Sequence, residues 1–392
     1  MKAKKGRIII ATGGTGGHIF SARSTALELS KRGFKVTIFA DNHYKKYSQK
    51  EDPFNYYIIN SSTLRKGTIP LIKASYKISL GIIKAFLLML FYQPKIIIAF
   101  GGYASFPSLA TAIVLKRKII LHEQNAYFGK VNRLLARFAT KIALSYKKTY
   151  GIEEKYLEKT IYIGNPIRDD IIELNKYEYN LPGYNKKKPL DNLGYDVLLA
   201  SQFHNHINED SYGELFNILV IGGSGGAKIF SDILPKAFFN IRDELKKHIN
   251  IVQQCRKEYI EDTFSQYQSF NLNILINTFF KDIKEEIKRA HLIIARAGSS
   301  SIAEFTAAKK PLILVPFAAA TDDHQTKNAA FIEKSGGAIV FKEKDFTINK
   351  VTKCLEKLID NPALLKKMSK ASYSCANINA NKDLANLIES LL

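Results

Sequence analysis

Two glycine-rich loops in this chain have the composition of phosphate-binding turns. The first, GGTGG at 13–17, follows the apolar run RIII, and the second, GGSGG at 222–226, follows FNILV. Each loop joins a predicted strand to a predicted helix, and the unpaired N–H groups at the start of a helix attract anions. Glycines let the backbone approach a ligand closely. The loops therefore predict two turns that bind an anionic group or a sugar, and tight turns without a ligand are the alternative.

Neither loop matches the two best-known phosphate-binding patterns. In the dinucleotide pattern G-x-G-x-x-G, the third glycine position holds Ile19 in the first loop and Lys228 in the second. In the Walker A pattern, Ala227 and Ile229 stand where a glycine and a serine or threonine belong. These departures disfavour hydride transfer and nucleotide hydrolysis as the function.

His18 and Glu304 are two titratable residues whose positions suit a catalytic or ligand-binding role. His18 directly follows the first loop, and a neutral imidazole with a pKa of about 6.5 suits a general base. The alternative is a histidine that only packs or caps the start of the helix. Glu304 follows the predicted strand end ARAGSSSIA, where one carboxylate can accept hydrogen bonds from two ribose hydroxyls. Its alternative role is a surface glutamate that pairs with a lysine.

Brief apolar segments that end in glycine or polar residues predict the strands that position these residues. They are RIIIA, FKVTIFA, KIIIAFGG, KIILHEQN and KIALSY in the first half, and FNILVIGG, NIVQQC, LNILIN, LIIARAGSS and PLILVPF in the second. With the helical pattern SARSTALELSKRG after the first loop, this order predicts repeated parallel α/β units. We therefore predict an α/β protein with two Rossmann-like, doubly wound parallel-sheet domains. The polar stretch at about 175–215 is predicted to be a long surface insertion.

The charge balance suggests an anionic partner. The chain carries 58 Lys and Arg against 36 Asp and Glu, a formal net charge of +22, although ordinary solvated lysines would give the same composition. The basic residues are scattered and no nucleic-acid motif is present, which argues against nucleic acid. Three cysteines without metal-binding or paired spacing, and an apolar start too short for a signal peptide, favour a reducing cytoplasmic location.

The stretch 69–94, IPLIKASYKISLGIIKAFLLMLFYQP, is the most apolar part of the sequence. At about 100° per helical residue, Lys73, Lys77 and Lys84 fall on one stripe. Three lysines argue against a transmembrane span and favour a helix in the membrane interface, where basic residues meet anionic headgroups. The alternative is a helix that is buried against the sheet.

Six motifs, taken together and in this order, resemble the MurG family of N-acetylglucosaminyltransferases in glycosyltransferase family 28. They are GGTGGHIFSA, FGGYASFPSLA, LHEQNAYFGKVNRLLA, GNPIR, IGGSGGA and ARAGSSSIAEFTAAKKPLILVPFAAATDDHQTKNA. The resemblance spans residues 7 to about 340, and the insertion at 175–215 is longer than the family usually carries. It implies the GT-B fold, in which two Rossmann-like domains face each other across a cleft.

The resemblance also implies a separate binding role for each domain and a particular reaction. Residues 1–167 would bind the acceptor and the membrane, with the C-terminal helix at 376–392 packing back on them, and residues 168–375 would bind UDP-GlcNAc. The implied enzyme is an inverting transferase that moves N-acetylglucosamine from UDP-GlcNAc to the C4 hydroxyl of the muramyl sugar of lipid I. The product is lipid II of peptidoglycan synthesis. Another UDP-sugar transferase of this fold with a different lipid acceptor is the alternative.

The same resemblance assigns site residues, with His18 as the base. The residues implied to bind UDP-GlcNAc are Thr15, Gly16 and Gly17 in the first loop, Asn125 at the transferred sugar, Arg168 near the diphosphate, Ser224 in the second loop, Phe280 at the uracil, Glu304 at the ribose and Gln325 at the sugar. A small-residue loop is predicted beside Glu304, and it consists of Ser299, Ser300, Ser301, Ile302 and Ala303.

No cofactor is required on this interpretation, and no metal site is predicted because no Asp-x-Asp pair is present. A divalent cation such as Mg²⁺ could still act through the lipid diphosphate. The expected partners are UDP-GlcNAc, lipid I and an anionic membrane surface, with no nucleic acid. The expected location is the cytoplasmic face of the bacterial inner membrane, as a peripheral protein.

Overall fold

The chain divides into two compact units, each built around its own core. The structure, a computed structural model, describes residues 5–62, 68–182, 198–199, 215–223, 226–280 and 282–392. Unit 1 comprises Met1–Asp169 and Asn377–Leu392, and unit 2 comprises Asp170–Ala376. Both units contain a parallel sheet with helices on its faces, so the predicted α/β class with two doubly wound sheets is confirmed.

Unit 1 contains a seven-stranded parallel sheet. Its strands are β1 (Lys5–Thr12), β2 (Phe34–Ala40), β3 (Asn55–Ile58), β4 (Ile96–Ala99), β5 (Lys118–Glu123), β6 (Lys141–Leu144) and β7 (Thr160–Tyr162). They lie in the order β3-β2-β1-β4-β5-β6-β7, so the chain changes direction across the sheet between β1 and β4. Ligands of open α/β sheets collect outside the carboxyl ends of the strands at such a switch point, and the first glycine loop follows β1.

Unit 2 repeats this plan with a second parallel sheet. Its strands are β8 (Leu198–Leu199), β9 (Phe216–Ile221), β10 (Ile249–Gln254), β11 (Asn273–Asn277), β12 (Leu292–Ala295), β13 (Leu312–Leu314) and β14 (Ala338–Val340). They lie in the order β14-β13-β12-β9-β10-β11-β8. The second glycine loop follows β9, which pairs with both β10 and β12, so this loop also lies at a switch point.

The helices flank the sheets. In chain order they are α1 (Gly16–Lys31), α2 (Thr68–Tyr92), α3 (Phe106–Val114), α4 (Lys130–Leu135), α5 (Asp169–Ile172), α6 (Lys228–Phe239), α7 (Asp243–Lys246), α8 (Ile260–Ser269), α9 (Ile283–Arg289), α10 (Ser299–Ala307), α11 (His324–Ser335), α12 (Ile348–Ile359), α13 (Pro362–Tyr373) and α14 (Ala380–Ser390). The helix after the first loop begins at Gly16 rather than at the predicted Ser21, because the last loop glycines form its first turn.

Both faces of the unit 1 sheet are buried, which explains why its strands are continuously apolar rather than alternating. Ile8 of β1 packs toward α1 and toward Ile388 of α14, a helix from the far end of the chain. The next residue, Ile9, packs on the opposite face with Met89 of α2. The sheet is therefore a central layer that holds the loops at its carboxyl edge.

The predicted insertion at 175–215 lies largely outside the described residues. Its first part packs on unit 2, where the Tyr179 hydroxyl donates a hydrogen bond to the carbonyl oxygen of His291 at 2.7 Å. The short strand β8 pairs with β11 at the end of the sheet. The structure does not describe 183–197 and 200–214, so the predicted surface loop stays a prediction there.

Candidate active site

The first glycine loop folds tightly around a buried carboxylate. Gly13 has a φ of +143°, and a Cβ at this position would lie 2.7 Å from Cβ of Ala104 and 2.8 Å from the carboxyl group of Asp41. Gly14 donates its N–H to Oδ2 of Asp41 at 2.9 Å. Only glycine fits at position 13, and the loop then leads directly into the start of α1.

Asp41 is a residue of the site that the sequence analysis did not identify. Its side chain is buried, and besides Gly14 it accepts the backbone N–H of His43 at 3.1 Å. Its sequence signal is an acidic residue directly after the strand FKVTIFA, at the carboxyl edge of the sheet. Because a carboxylate repels phosphate, Asp41 is suited to fixing the loop backbone rather than to binding the ligand.

His18 lies in the first turn of α1 with its imidazole half-buried. Its Nδ1 lies 2.9 Å from Oγ1 of Thr15. The other side of the ring faces two glycines: a Cβ at Gly101 would lie 3.7 Å from Nε2, and one at Gly102 would lie 3.9 Å from Cε1. When Nδ1–H donates to the Thr15 hydroxyl, Nε2 is the ring atom that can accept a proton.

A buried glutamate organises the segment that contains Asn125. Glu123 is 3% exposed, and its carboxyl group accepts the backbone N–H groups of Asn125 at 2.9 Å and Gly129 at 2.8 Å. It also accepts Nδ2–H of Asn132 at 2.8 Å. Burial raises the pKa of Glu123, while these hydrogen bonds oppose that rise. The predicted sugar-binding Asn125 is thus held by a carboxyl group two residues before it.

His122 connects this segment to the GNPIR motif. It is fully buried, and its Nε2–H donates to the carbonyl oxygen of Gly164 at 3.1 Å. Burial lowers the pKa of His122 to about 4, so its ring is neutral at pH 7. The neighbouring Gln124 donates through Nε2 to the carbonyl oxygen of Gly17 at 3.4 Å. The HEQN motif, the first loop and GNPIR therefore meet at one edge of unit 1.

Arg168, the predicted diphosphate ligand, belongs to the same edge. Its guanidinium lies over the ring of Phe20, 5.0 Å from the ring centroid, and Phe20 is on α1 two residues after His18. The GNPIR segment is further anchored to α1 because the Ser21 hydroxyl donates to Oδ1 of Asn165 at 2.9 Å. The structure therefore brings Arg168 next to the helix that begins in the first glycine loop.

The second glycine loop of unit 2 is also shaped around glycine. A Cβ at Gly222 would lie 2.4 Å from the backbone nitrogen of Ala227, so only glycine fits there. Gly223 and Gly226 have positive φ values of 81° and 65°, and α6 begins just after the loop. Ser224, which the resemblance places at the diphosphate, lies outside the described residues.

The residues before Glu304 form a helix, and the prediction of a loop there was wrong. Ser299, Ser300, Ser301, Ile302 and Ala303 are the first residues of α10. The helix forms because Ile302 and Phe305 pack into the unit 2 core on one face while the serines occupy its start. The side chains of Ser299 and Ile302 are buried, whereas those of Ser300 and Ser301 are partly exposed. Glu304 is half-buried on the same helix.

Gln325 and Arg296 both hold the segment that follows β13. Oε1 of Gln325 accepts the backbone N–H of Phe317 at 2.9 Å. Nη1 of Arg296 donates to the carbonyl oxygen of Val315 at 3.1 Å, and Nη2 pairs with Glu343 at 2.5 Å. The predicted sugar ligand Gln325 therefore has its oxygen engaged in shaping this segment. Phe280, the predicted uracil neighbour, packs against the unit 2 core with part of its surface exposed.

The described residues contain no ready-made metal site. Among the residues with assigned positions, no group of three or more His, Cys, Asp or Glu side chains could hold a metal ion. The three cysteines form no disulfide, and Cys255 is buried. Burial also raises the pKa of Cys354 to about 11, so this thiol is protonated at pH 7 and is a poor metal ligand.

α2 presents an apolar strip to the outside. By length and composition alone, its Ile72–Tyr92 part could cross a membrane, and 22% of its most apolar window is buried. The outward strip consists of Ile72, Tyr76, Leu80, Ile83, Leu87, Leu90 and Phe91. At about 100° per residue, this strip lies opposite the buried face, and the exposed lysines of the predicted stripe lie along its flank. One face of α2 is thus buried against the sheet, as the alternative expected, while the strip faces outward.

Two Rossmann-like units, each with a glycine loop at the switch point of its parallel sheet, have the architecture of the GT-B fold. The models of the glycosyltransferase family 28 N-terminal and C-terminal domains match residues 8–144 and 217–388. The chain belongs to glycosyltransferase family 28.

Named relatives and solved structures agree with this assignment. The UDP-N-acetylglucosamine–N-acetylmuramyl-(pentapeptide) pyrophosphoryl-undecaprenol N-acetylglucosamine transferase of Novosphingobium aromaticivorans is 34% identical, covering 97% of this chain and 91% of the relative. The corresponding transferase of Paramagnetospirillum magneticum is 32% identical, and the match covers 100% of this chain and 98% of the relative. The crystal structure of Acinetobacter baumannii MurG superposes with a TM-score of 0.71 at 25% identity, covering 98% of this chain and 100% of that chain.

A more distant structure shares the fold alone. A UDP-N-acetylglucosamine 2-epimerase superposes with a TM-score of 0.64 at 15% identity, covering 99% of this chain and 96% of that chain. Since this fold also supports epimerisation of a nucleotide sugar in that protein, the fold alone does not determine the reaction.

Proposed function

We propose that this chain transfers N-acetylglucosamine from UDP-GlcNAc to the C4 hydroxyl of the muramyl sugar of lipid I and so forms lipid II. The relatives that match nearly the whole chain carry this activity in their names. The observation that carries the proposal is the arrangement at the edge of unit 1, where His18, the first loop and the HEQN and GNPIR motifs meet.

His18 is the proposed general base. The acceptor hydroxyl must lose a proton as it attacks the anomeric carbon, and Nε2 would take it in the tautomer in which Nδ1–H donates to Thr15. Gly101 and Gly102 carry no side chains beside the ring, which leaves room for the acceptor sugar. Attack from the side opposite the leaving diphosphate inverts the anomeric centre and gives the β-1,4 bond.

Unit 2 is proposed to hold the donor. The start of α10, with Ser299, Ser300 and Ser301, would lie against the donor, and the Glu304 carboxylate would accept both ribose hydroxyls. Phe280 would place its backbone against uracil, while Gln325 and the segment that it holds would contact the sugar.

The leaving diphosphate needs positive charge, and protein groups can supply it without a metal. Arg168 would pair its guanidinium fork with phosphate oxygens, and Cζ of this guanidinium lies 5.0 Å from the centroid of the Phe20 ring. Thr15, Gly16, Gly17 and Ser224 would add backbone or hydroxyl donors, and Asn125 would bind the transferred sugar. A divalent cation, if used, would act through the lipid diphosphate.

Unit 1 is proposed to bind the cytoplasmic face of the inner membrane through α2. Unit 1 carries 30 Lys and Arg against 11 Asp and Glu, whereas unit 2 carries 28 against 25, so nearly all of the excess positive charge resides in unit 1. The outward apolar strip of α2 would enter the headgroup region while Lys73, Lys77 and Lys84 meet anionic lipids. This contact would place the unit where lipid I resides.

The test compares the wild type and His18→Ala with radiolabelled UDP-GlcNAc and a soluble lipid I analogue. We expect the wild type to form labelled disaccharide and the variant to lose at least about 100-fold in kcat, as expected for loss of a general base. Near-wild-type turnover by the variant would remove His18 from this role. A wild type that uses other lipid acceptors but not the lipid I analogue would favour the alternative transferase.

A further inference from the structure

An arginine that the proposed transfer reaction does not yet use lies beside the second glycine loop. Arg256 follows β10, and the loop follows β9, the strand that pairs with β10. Val220 of β9 and Gln253 of β10 are register partners, so Arg256 leaves the sheet at the same height as the loop. Both lie at the carboxyl edge of the unit 2 sheet, where ligands of open α/β sheets bind.

The side chain of Arg256 packs directly against the loop backbone. Its Nη2 donates to the carbonyl oxygen of Gly226 at 3.4 Å. Gly226 has a φ of +65°, and a Cβ at this position would lie 2.6 Å from Cγ of the arginine. Because Gly226 has no side chain, the stem of Arg256 lies against the turn that leads into α6, and this contact keeps the guanidinium at the loop.

The guanidinium retains donors for an anion. Among the described residues its five N–H groups make two polar contacts, and both are long: the one to Gly226, and an ion pair of 3.8 Å between Nη1 and Glu258. The side chains of this ion pair are 40% and 59% exposed, so water screens it and it is weak. Nε is buried without a hydrogen-bond partner there, so the two Nη groups are the ones that a ligand can reach.

A second cation beside the loop is already engaged by a carboxylate. Lys228 is the first residue of α6, and its Nζ donates to both carboxyl oxygens of Asp232 at 2.7 Å. Of these two cations, Arg256 is therefore the one that an incoming phosphate can bind without breaking a close ion pair. A guanidinium also matches a phosphate group better than an ammonium does, since its planar fork donates two parallel hydrogen bonds.

We infer that Arg256 binds the diphosphate of the nucleotide at the second glycine loop and neutralises part of its charge as it leaves. Its Nη1 and Nη2 donate to phosphate oxygens, and Glu258 gives up its weak contact with the arginine. This inference rests on the proposed function and adds a guanidinium from unit 2, whereas Arg168 lies beside α1 in unit 1.

The experiment measures the binding of UDP and of uridine, without acceptor, by ligand-observed NMR titration. The proteins are the wild type, Arg256→Gln, Arg256→Lys, and the control Lys236→Gln, which removes one charge from an exposed position further along α6. Arg256→Gln should weaken UDP binding about tenfold or more and change uridine binding less than about twofold, because only UDP carries the diphosphate. Arg256→Lys should recover part of the UDP affinity, and Lys236→Gln should bind both ligands as the wild type does.

A salt titration separates a direct contact from an effect on loop shape. If Arg256 touches the diphosphate, added NaCl should weaken UDP binding more steeply in the wild type than in Arg256→Gln, because the ion pair that salt screens is missing from the variant. A variant that binds UDP more weakly but with the wild-type salt dependence would show that Arg256 only shapes the loop, which would overturn the contact.

The remaining outcomes also decide the question. Unchanged UDP binding in Arg256→Gln, equal weakening of UDP and uridine, or equal weakening of UDP in Arg256→Gln and Lys236→Gln would each overturn the contact while the wild type still binds UDP. A wild type that does not bind UDP would instead overturn the proposed function, and the role of Arg256 with it.

Discussion

Oγ1 of Thr15 lies 2.9 Å from Nδ1 of His18, one turn along the start of α1. Thr15 precedes the helix and His18 lies within its first turn, so the hydrogen bond sets the ring orientation from inside the glycine loop itself. In the tautomer in which Nδ1–H donates to the Thr15 hydroxyl, Nε2 is the nitrogen of His18 that can accept a proton.

Replacing Thr15 tests this link. Thr15→Val keeps the shape of the side chain but removes the hydroxyl, so we expect kcat to fall about tenfold and the acid limb of its pH profile to shift. Thr15→Ser restores the hydroxyl and should recover most of the activity. Steady-state kinetics with UDP-GlcNAc and the lipid I analogue measure both effects, and equal activities of the valine and serine variants would exclude the orienting role.

Glu304→Gln tests the ribose contact. The amide keeps the size of the side chain but cannot accept two hydroxyl hydrogen bonds as a carboxylate does, so the KM for UDP-GlcNAc should rise about tenfold or more with a smaller change in kcat. Glu333→Gln, an exposed position on α11, is the matched control and should leave both constants unchanged. If the donor KM of the Glu304 variant stays at the wild-type value, the carboxylate does not bind the ribose.

Leu87→Glu tests the outward strip of α2. Leu87 is 61% exposed, so the substitution should leave stability nearly unchanged while placing a negative charge where the strip would enter the membrane. Binding to vesicles that contain phosphatidylglycerol should weaken at least about tenfold in a sedimentation assay, and Leu392→Glu, at an exposed terminal residue of the same unit, should bind as the wild type does. If vesicle binding weakened equally in both variants, it would depend on the net charge of the protein and not on the strip.

His122→Gln tests the neutral buried imidazole through the stability of the protein. The folded-state pKa of about 4 lies below the ordinary value of 6.5, so between these values the unfolded state binds a proton that the folded state does not. Stability should therefore fall as the pH drops from about 6.5 toward 4, by up to roughly 1.4 kcal/mol per pH unit. Glutamine retains an N–H donor for the Gly164 carbonyl but does not titrate, so its stability should fall less over this window.

Urea unfolding at pH 7, 6 and 5 checks this last expectation. The difference in unfolding free energy between the wild type and the variant should narrow as the pH falls. Because other buried groups such as His291 titrate in both proteins, only the difference reports on His122. If the unfolding free energies of the wild type and the variant fell in parallel with pH, His122 would not contribute to the loss of stability in acid.

The strands could be predicted from the sequence because both faces of each parallel sheet are buried, which makes every strand a short apolar run such as RIII. The glycine loops and His18 could be located for the same reason, since they directly follow such runs. Helix starts were harder to predict. The glycines of the first loop begin α1, and the serines at 299–301 begin α10, although residues of both types are typical of loops.

The contacts that organise the site could not be predicted, because they join residues that are distant in sequence. Asp41 accepts a hydrogen bond from Gly14, 27 positions away in the sequence, and His122 is hydrogen-bonded to Gly164, 42 positions away. No local pattern indicates such pairs. The same is true of Arg256 and Gly226, which become neighbours only because β9 and β10 pair.

The proposed transfer is tested most directly by the product formed from labelled UDP-GlcNAc and a synthetic lipid I analogue, with its linkage determined by NMR. We expect a disaccharide joined by a β-1,4 bond, with release of UDP in equal amount. Release of UDP with no new disaccharide, an α-linked product, or conversion of the donor sugar into its C2 epimer would contradict the proposed transfer.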